Sequence, residues 1–446
     1  MSSPNQVVVL RARRTQRESI NNFGAINRAR LPDKGLSKTQ AMQSPKLRYL
    51  SDIACYSYSP GELRRCIRKE DFWRYKLAVD LVEDAAKQSS LEFYARNCTT
   101  GPLAISRVAD RFIFRVPTLS DALCIRRTDQ ILRRTLRTAP PNRDDEIRQL
   151  LSVLRSEKNR SVCKADIQGF FESVDFGGII SKLEADGLRN SSSLNHLRSL
   201  HRQLVETLGY HGLPRGLSIS STLADYVLQD FDTALLNAPL SIYCCRYVDD
   251  ICVVHFSQPA TIEDFISKAL PDGLKLNNKK TVHVTSKGND TFPFLGYSIS
   301  VNNTLTVRIA DTKINKAKKR IILSFRDFVK TSNFALLFRR MLFLSSTIEM
   351  QISGRITPVY SGFRHVYRYC TPHLLSRQMV ELDRFFQAQI TSQRFWLSRL
   401  LRSNLTSSQL IALRRVSFYN SYKDQTTFPL SRDHVSEVKK AWKYEQ

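Results

Sequence analysis

Between about residues 160 and 300, short apolar runs of β type alternate with amphipathic stretches, a texture unlike either flank. SVCKADI reads as a strand, GGIISKLEAD as a helix and SISSTLADYVLQDFDTALL as a second helix. SIYCCRYVDDICVVHF reads as a hairpin and TVHVTS as a further strand. Upstream, residues 60 to 97 carry helical periodicity with many charges, as in DFWRYKLAVDLVEDAAK. RFIFRV alternates like a strand and Pro117 ends it, with a basic amphipathic helix following around Ile125 to Leu136. From about residue 311 the pattern is helical and basic: KINKAKKRIILSFRDFVK, FALLFRRMLFLSS, LLSRQMVELDRFFQAQI, and another helical piece from Thr406. The sum is an α+β chain, with helices on one face of a small, mostly antiparallel sheet and helical segments on both flanks. Residues 1 to about 45 are polar, basic and weakly patterned, which suits a solvated tail or a nucleic-acid clamp.

The 446 residues include 68 Lys and Arg against 41 Asp and Glu, a formal charge of +27. So large an excess calls for a polyanionic partner. Nucleic acid fits better than an anionic membrane, because the basic residues run the whole length among aromatics. No long basic amphipathic helix and no lipidation motif is found. There is no apolar signal-peptide core, and no uninterrupted apolar run reaches the ~18 residues a spanning helix needs. Phe334 to Leu344 is broken by Arg339 and Arg340. A cytoplasmic protein with no membrane partner is the expectation. The nine cysteines include no CxxC pair and read as reduced thiols, not as a zinc site.

Three segments carry candidate chemistry. In SIYCCRYVDDICVVHF, adjacent Asp249 and Asp250 are flanked by apolar β-formers. Paired carboxylates there repel each other and resist desolvation, so a multivalent cation would relieve them. An ordinary Asp-Asp turn is the alternative. In SVCKADIQGFFESVD a strand leads to Asp166, while Asp175 is better placed to cap the next helix. In YHGLPRGLSISSTLAD, Gly212 and Gly216 flank Leu-Pro-Arg and a helix opens at the serines. Such a turn suits close approach of backbone to a phosphate, or a plain strand-helix connection.

Taken together, ADIQGFFESVD, GLPRGLSISSTLAD, YVDD, LKLNNKKTVHV and FLGY resemble, in content and order, the motifs of bacterial reverse transcriptases, the class that includes retron and group II intron enzymes. The resemblance covers about residues 105 to 300 and, more loosely, the helical part beyond. It implies a right-hand polymerase: a basic N-terminal extension over 1–60, fingers over 61–160, a palm over 161–310, and a helical thumb and C-terminal region over 311–446. By position, Asp166, Asp249 and Asp250 resemble the carboxylates that hold two Mg²⁺ ions, with Mn²⁺ an acceptable substitute. Lys280 resembles the lysine beside the triphosphate, able to protonate pyrophosphate. Phe171 resembles the steric gate against a 2′-hydroxyl, with Phe170 as its core neighbour, since successive strand residues face opposite ways. Tyr247, Arg215 and Gly216 fall on the substrate side. Arg215 stands where many relatives have Gln, so template contact and simple pairing with an acid both stay open. Phe294, Leu295 and Gly296 resemble the primer grip. Arg111 and Arg115 are candidates for triphosphate contact, equally readable as surface-strand residues.

The resemblance further implies an RNA template, with a dedicated non-coding RNA as one form, together with dNTPs and a DNA product. Neither a cysteine-bearing nuclease cluster nor a Val-Thr-Gly in the C-terminal part is found. The remaining likeness is to stand-alone bacterial reverse transcriptases linked to antiphage defence, and a homo-oligomer or a partner protein is compatible with it. Template-independent or protein-primed DNA synthesis, an RNA polymerase and a catalytically inactive nucleic-acid-binding scaffold are the alternatives. Phe171 speaks against the RNA polymerase and the three carboxylates against the scaffold.

Overall fold

The computed structural model describes residues 56–442, apart from 69, 109, 139–141, 157–159, 189, 286–289, 303 and 351–358. The basic segment over residues 1–45 lies outside the described residues. The chain divides into two compact units, one of residues 1–142 and 165–281, the other of residues 143–164 and 282–446.

In the first unit, helices Pro60–Arg65, Val82–Ala95 and Leu119–Leu136 surround a core of Tyr58, Leu63, Phe93, Leu123 and Ile131. The basic helix expected from Ile125 begins instead at Leu119. Thr118 sets that start, because its side chain accepts a hydrogen bond from the Asp121 backbone N–H. This helix buries two arginines, and each has a carboxylate partner. Arg127 lies 2.6 Å from Glu62, and Arg126 reaches Asp71 at 2.5 and 2.8 Å. Buried guanidinium groups are tolerated only when paired in this way. Strands β1 (Ala104–Val108) and β2 (Arg111–Arg115) form an antiparallel ribbon.

Strand β3 (Ser161–Asp166) enters this unit at Ala165. Helices Phe170–Ser173, Phe176–Ala185, Ser191–Leu208, Ser218–Val227 and Gln229–Leu235 follow. The last two are read as one from sequence, but the chain breaks at fully buried Leu228. No Gly or Pro marks the break, so nothing local signals it. Next come β4 (Ser241–Tyr247) and β5 (Asp250–His255), an antiparallel hairpin whose register shifts between Ser241 and Tyr243. Ile251, Cys252, Val253 and Val254, which alternate between the two faces of β5, are all fully buried, the mark of a strand covered on both faces.

In the second unit, the start of β3 pairs antiparallel with β6 (Val282–Thr285). β7 (Thr291–Phe294), β8 (Tyr297–Ser300) and β9 (Thr306–Ile309) form an antiparallel meander. Helix Asp311–Thr331 buries Ile314, Ile321, Phe325 and Phe328, as its apolar spacing predicts. Helices Phe334–Ser345 and Pro372–Thr391 follow the expected pattern. The region read as wholly helical also holds a small sheet: β10 (Thr347–Met350) pairs antiparallel with β11 (Val359–Ser361) and parallel with β12 (Thr427–Pro429). Strands of three or four residues are too short for periodicity to register. The eight described cysteines are free thiols. Among the described residues, no helix is long and apolar enough to cross a membrane.

Candidate active site

The carboxylates singled out from sequence gather in the first unit. Asp166 ends β3, where its carbonyl accepts from Asn277 N–H at 2.7 Å. The next residue, Ile167, donates its backbone N–H to the Asp249 carbonyl at 3.1 Å. This bond ties the end of β3 to the tip of the β4–β5 hairpin. The hairpin turns through Val248 and Asp249 alone, with Tyr247 opposite Asp250. Val248 has φ 60°. A β-branched residue in the left-handed region is strained by about 1–3 kcal/mol and needs support from its surroundings.

That support comes from Arg246. Its guanidinium donates to Asp232 at 2.7 and 2.7 Å, to Asp225 at 3.2 Å and to the Val248 carbonyl at 2.9 Å. Burial alone would depress its pKa, but the Asp232 hydrogen bonds and charge, with Asp225, hold it above its ordinary value. Sequence reading missed this residue, because a single Arg in a strand signals nothing and its acids lie on helices 14 and 21 positions away.

Burial pushes the Asp249 carboxyl up and the neighbouring charges of Asp250 and Asp166 push it further, while a backbone hydrogen bond and Lys280 oppose them. The Lys280 Nζ donates to Asp166 at 2.9 and 3.2 Å, and the Asn277 side chain donates at 3.4 Å. A tight turn over residues 277–281, closed by Lys280 N–H to the Asn277 carbonyl at 2.9 Å, carries the lysine to this point. Hard carboxylate oxygens under mutual repulsion are the donor chemistry a divalent cation requires. Among the described residues, however, no three acidic, His or Cys side chains are gathered closely enough to hold a metal ion. In this arrangement the Lys280 ammonium supplies the counter-charge to Asp166.

Phe170 is buried and Phe171 is half-buried, as expected. The cause differs from the strand alternation inferred from sequence: both sit on the one-turn helix Phe170–Ser173, which points them in different directions. The Phe171 carbonyl accepts from Leu213 N–H at 2.7 Å, so the Gly212–Gly216 loop is fastened against this segment. Arg215 lies 4.7 Å over the Phe171 ring and donates to both Glu172 oxygens at 3.1 Å. Of the readings left open for Arg215, the pairing with an acid is the one observed. The Arg215 carbonyl accepts from Phe114 N–H at 2.8 Å, which draws β2, with exposed Arg111 and Arg115, to the same loop. Gly216 makes this approach feasible: its φ is +104°, and a Cβ there would lie 2.6 Å from the Phe114 carbonyl oxygen. Asp175 stands at the N-cap of helix Phe176–Ala185 but makes no side-chain cap bond. A cleft lined by Glu172, Ser173, Val174, Asp175 and His211 opens next to the Phe171 segment.

Phe294, Leu295 and Gly296 belong to the second unit, at the β7–β8 turn. Leu295 and Gly296 have φ 46° and 86°, the double left-handed geometry of a type I′ hairpin. Arg143 fixes this turn by donating twice to the Leu295 carbonyl, at 2.8 and 3.0 Å, with its guanidinium 5.0 Å over the Tyr297 ring.

The model of the family described as reverse transcriptase (RNA-dependent DNA polymerase) matches residues 120–299. That span takes in Asp166, Asp249 and Asp250, Phe171, the Gly212–Gly216 loop, Lys280 and the β7–β8 turn. Residues 120–299 are thus similar to a reverse transcriptase domain. The sequence matches no curated protein. Solved structures similar to it include apo telomerase from Candida tropicalis truncated of its C-terminal domain, at 15% identity over 49% of this chain and 58% of that one, TM-score 0.33. Telomerase from Candida albicans with a fragment of telomeric RNA is similar at 13% identity over 66% of this chain and 56% of that one, TM-score 0.31. Apo telomerase from Candida tropicalis is similar at 12% identity over 85% of this chain and 64% of that one, TM-score 0.35. The chain thus spans less than two thirds of the length of these structures.

Proposed function

We propose that the protein extends a nucleic-acid primer with dNTPs on an RNA template, and that Asp166, Asp249 and Asp250 are its metal-binding residues. The observation that carries this reading is the bond from Ile167 to Asp249, which brings a strand-end carboxylate and a turn doublet into one charged neighbourhood. Reverse transcriptases use divalent metal ions; Asp166, Asp249 and Asp250 would be the residues to hold Mg²⁺ here, and the ions would supply Lewis-acid chemistry for nucleotidyl transfer. Lys280 would exchange Asp166 for the departing pyrophosphate and give it a proton. Phe171 would sit against the sugar, its ring held by Arg215. Arg115, Gly216 and Tyr247 would border the incoming nucleotide. In a right-hand assignment, residues 61–160 are fingers, 161–310 palm and 311–446 thumb, with the β7–β8 turn as primer grip. A cytoplasmic role in antiviral defence with a dedicated RNA completes the proposal.

Purified protein given Mg²⁺ and labelled dNTPs should make polymer that DNase digests. The double variant Asp249→Ala/Asp250→Ala should make none while still retaining RNA. Polymer that persists in the double variant would overturn the assignment of these residues. Sequencing the nucleic acid that copurifies identifies template, product and primer together, and polymer formed without any RNA would favour template-independent synthesis.

A further inference from the structure

From Arg384 to Lys423 the chain contains no Asp or Glu, but seven basic residues: Arg384, Arg394, Arg399, Arg402, Arg414, Arg415 and Lys423. In a protein with 41 acidic residues, forty consecutive positions without one concentrate positive potential locally. At the centre of this stretch lies the helix Trp396–Ser403. It buries Leu397, Ser398 and Leu401, and so turns Trp396, Arg399 and Leu400 outward. Phe395 and Trp396 are 49% and 56% exposed, the adjoining Leu400 41%. Two adjacent aromatics at such exposure are unusual for a surface that only meets water. Arg394 and Arg399 flank them, both exposed, and neither pairs with a carboxylate among the described residues.

We propose that Phe395 and Trp396, with Arg394 and Arg399, form a stacking platform for single-stranded nucleic acid on the second unit. The chemistry is that of base stacking on exposed aromatic faces, combined with phosphate contacts from unpaired guanidinium groups. A duplex hides its base faces, so the platform discriminates by strandedness, not by sequence. A second copy of this chain fits less well, because two such surfaces would bring like charges together. The platform is independent of the polymerase reading, since it needs neither a metal nor a dNTP.

The test uses the full-length protein without nucleotide or metal. Fluorescence anisotropy is measured with labelled oligo-dT and oligo-U, with a blunt duplex, and with anionic phosphatidylserine vesicles as competitor. Each lost stack weakens binding about tenfold, so Phe395→Ser/Trp396→Ser should lose between tenfold and a hundredfold for single strands. Duplex affinity should change less than twofold. Arg394→Gln/Arg399→Gln should flatten the salt dependence of single-strand binding by about 1.4, two phosphate contacts at 0.7 each. Both pairs are exposed, and melting temperatures within about 2 °C of the parent exclude a folding effect. Unchanged single-strand affinity, or an equal loss for duplex, overturns the proposal. So does a variant that loses vesicle binding and keeps oligonucleotide binding, which would make the patch a membrane contact. Polymerase activity is scored separately with Asp249→Ala/Asp250→Ala, which should bind single strands normally.

Discussion

Replacing Arg246 with Met removes a brace from the turn that carries Asp249. Met fills much of the same volume, so the loss is electrostatic and not a cavity. It strands two carboxylates, Asp225 and Asp232, whose side chains are only 15% and 25% exposed. Breaking a fully buried pair costs about 3–5 kcal/mol, and discounting for the residual exposure leaves about 2–4 kcal/mol. For a unit of this size that predicts a fall of about 5–10 °C in melting temperature. Burial already raises the Asp225 carboxyl, and Arg246 holds it down, so the variant leaves it higher still. Protonation then removes the stranded charge in acid, and the gap between parent and variant should narrow as pH falls. Activity should fall further than stability, because Val248 at φ 60° loses the donor to its carbonyl and the turn relaxes. Differential scanning fluorimetry from pH 5 to 8 and single-turnover dNTP incorporation at 20 °C measure both. A melting temperature within 2 °C of the parent, or undiminished incorporation, would refute the idea that Arg246 braces this turn. Adding Asp232→Asn should recover part of the stability and none of the activity.

Asp249→Asn should stabilise the protein at neutral pH while abolishing synthesis. A raised carboxyl pKa means that its ionised form is disfavoured in the fold; the cost is absent below the ordinary value of 3.8 and complete above the folded value. The gain in melting temperature should therefore appear as pH rises and vanish in acid. Lys280→Ala removes a charge that lowers Asp249, so the acid limb of its residual rate should move to higher pH. Phe171→Ala should raise rNTP incorporation relative to dNTP by tenfold or more in competition assays, and Arg215→Ala should do so more weakly by freeing the ring. Leu295→Asn suits a left-handed turn position better than Leu, so it should add up to about 1 kcal/mol in denaturant melts.

The acidic doublet, the strand before Asp166 and the Gly-Leu-Pro-Arg-Gly loop are visible in the sequence because each is a local pattern: residue type, spacing and flanking periodicity. Phe170 and Phe171 are divided correctly between core and surface, yet for the wrong reason, since a single helical turn separates them. What sequence cannot supply is the long-range pairing. Arg246 with Asp232, Arg127 with Glu62 and Arg143 with the Leu295 carbonyl join residues 14, 65 and 152 positions apart. Each is an ordinary charged residue until the fold brings its partner near. The β10–β11–β12 sheet escapes for a related reason, because β12 joins it from some eighty residues away.

The shift in register between Ser241 and Tyr243 lies at the base of the β4–β5 hairpin, as far as that hairpin allows from the Val248–Asp249 turn. Side chains in a strand alternate sides, so one residue gained or lost near the tip would exchange Asp249 for Asp250 and undo the site. At the base the same change meets backbone that already departs from regular pairing. The hairpin therefore has one end that can absorb drift in length and one that cannot. Related chains of altered length should vary at residues 239–243 and leave the spacing from Arg246 to Asp250 untouched.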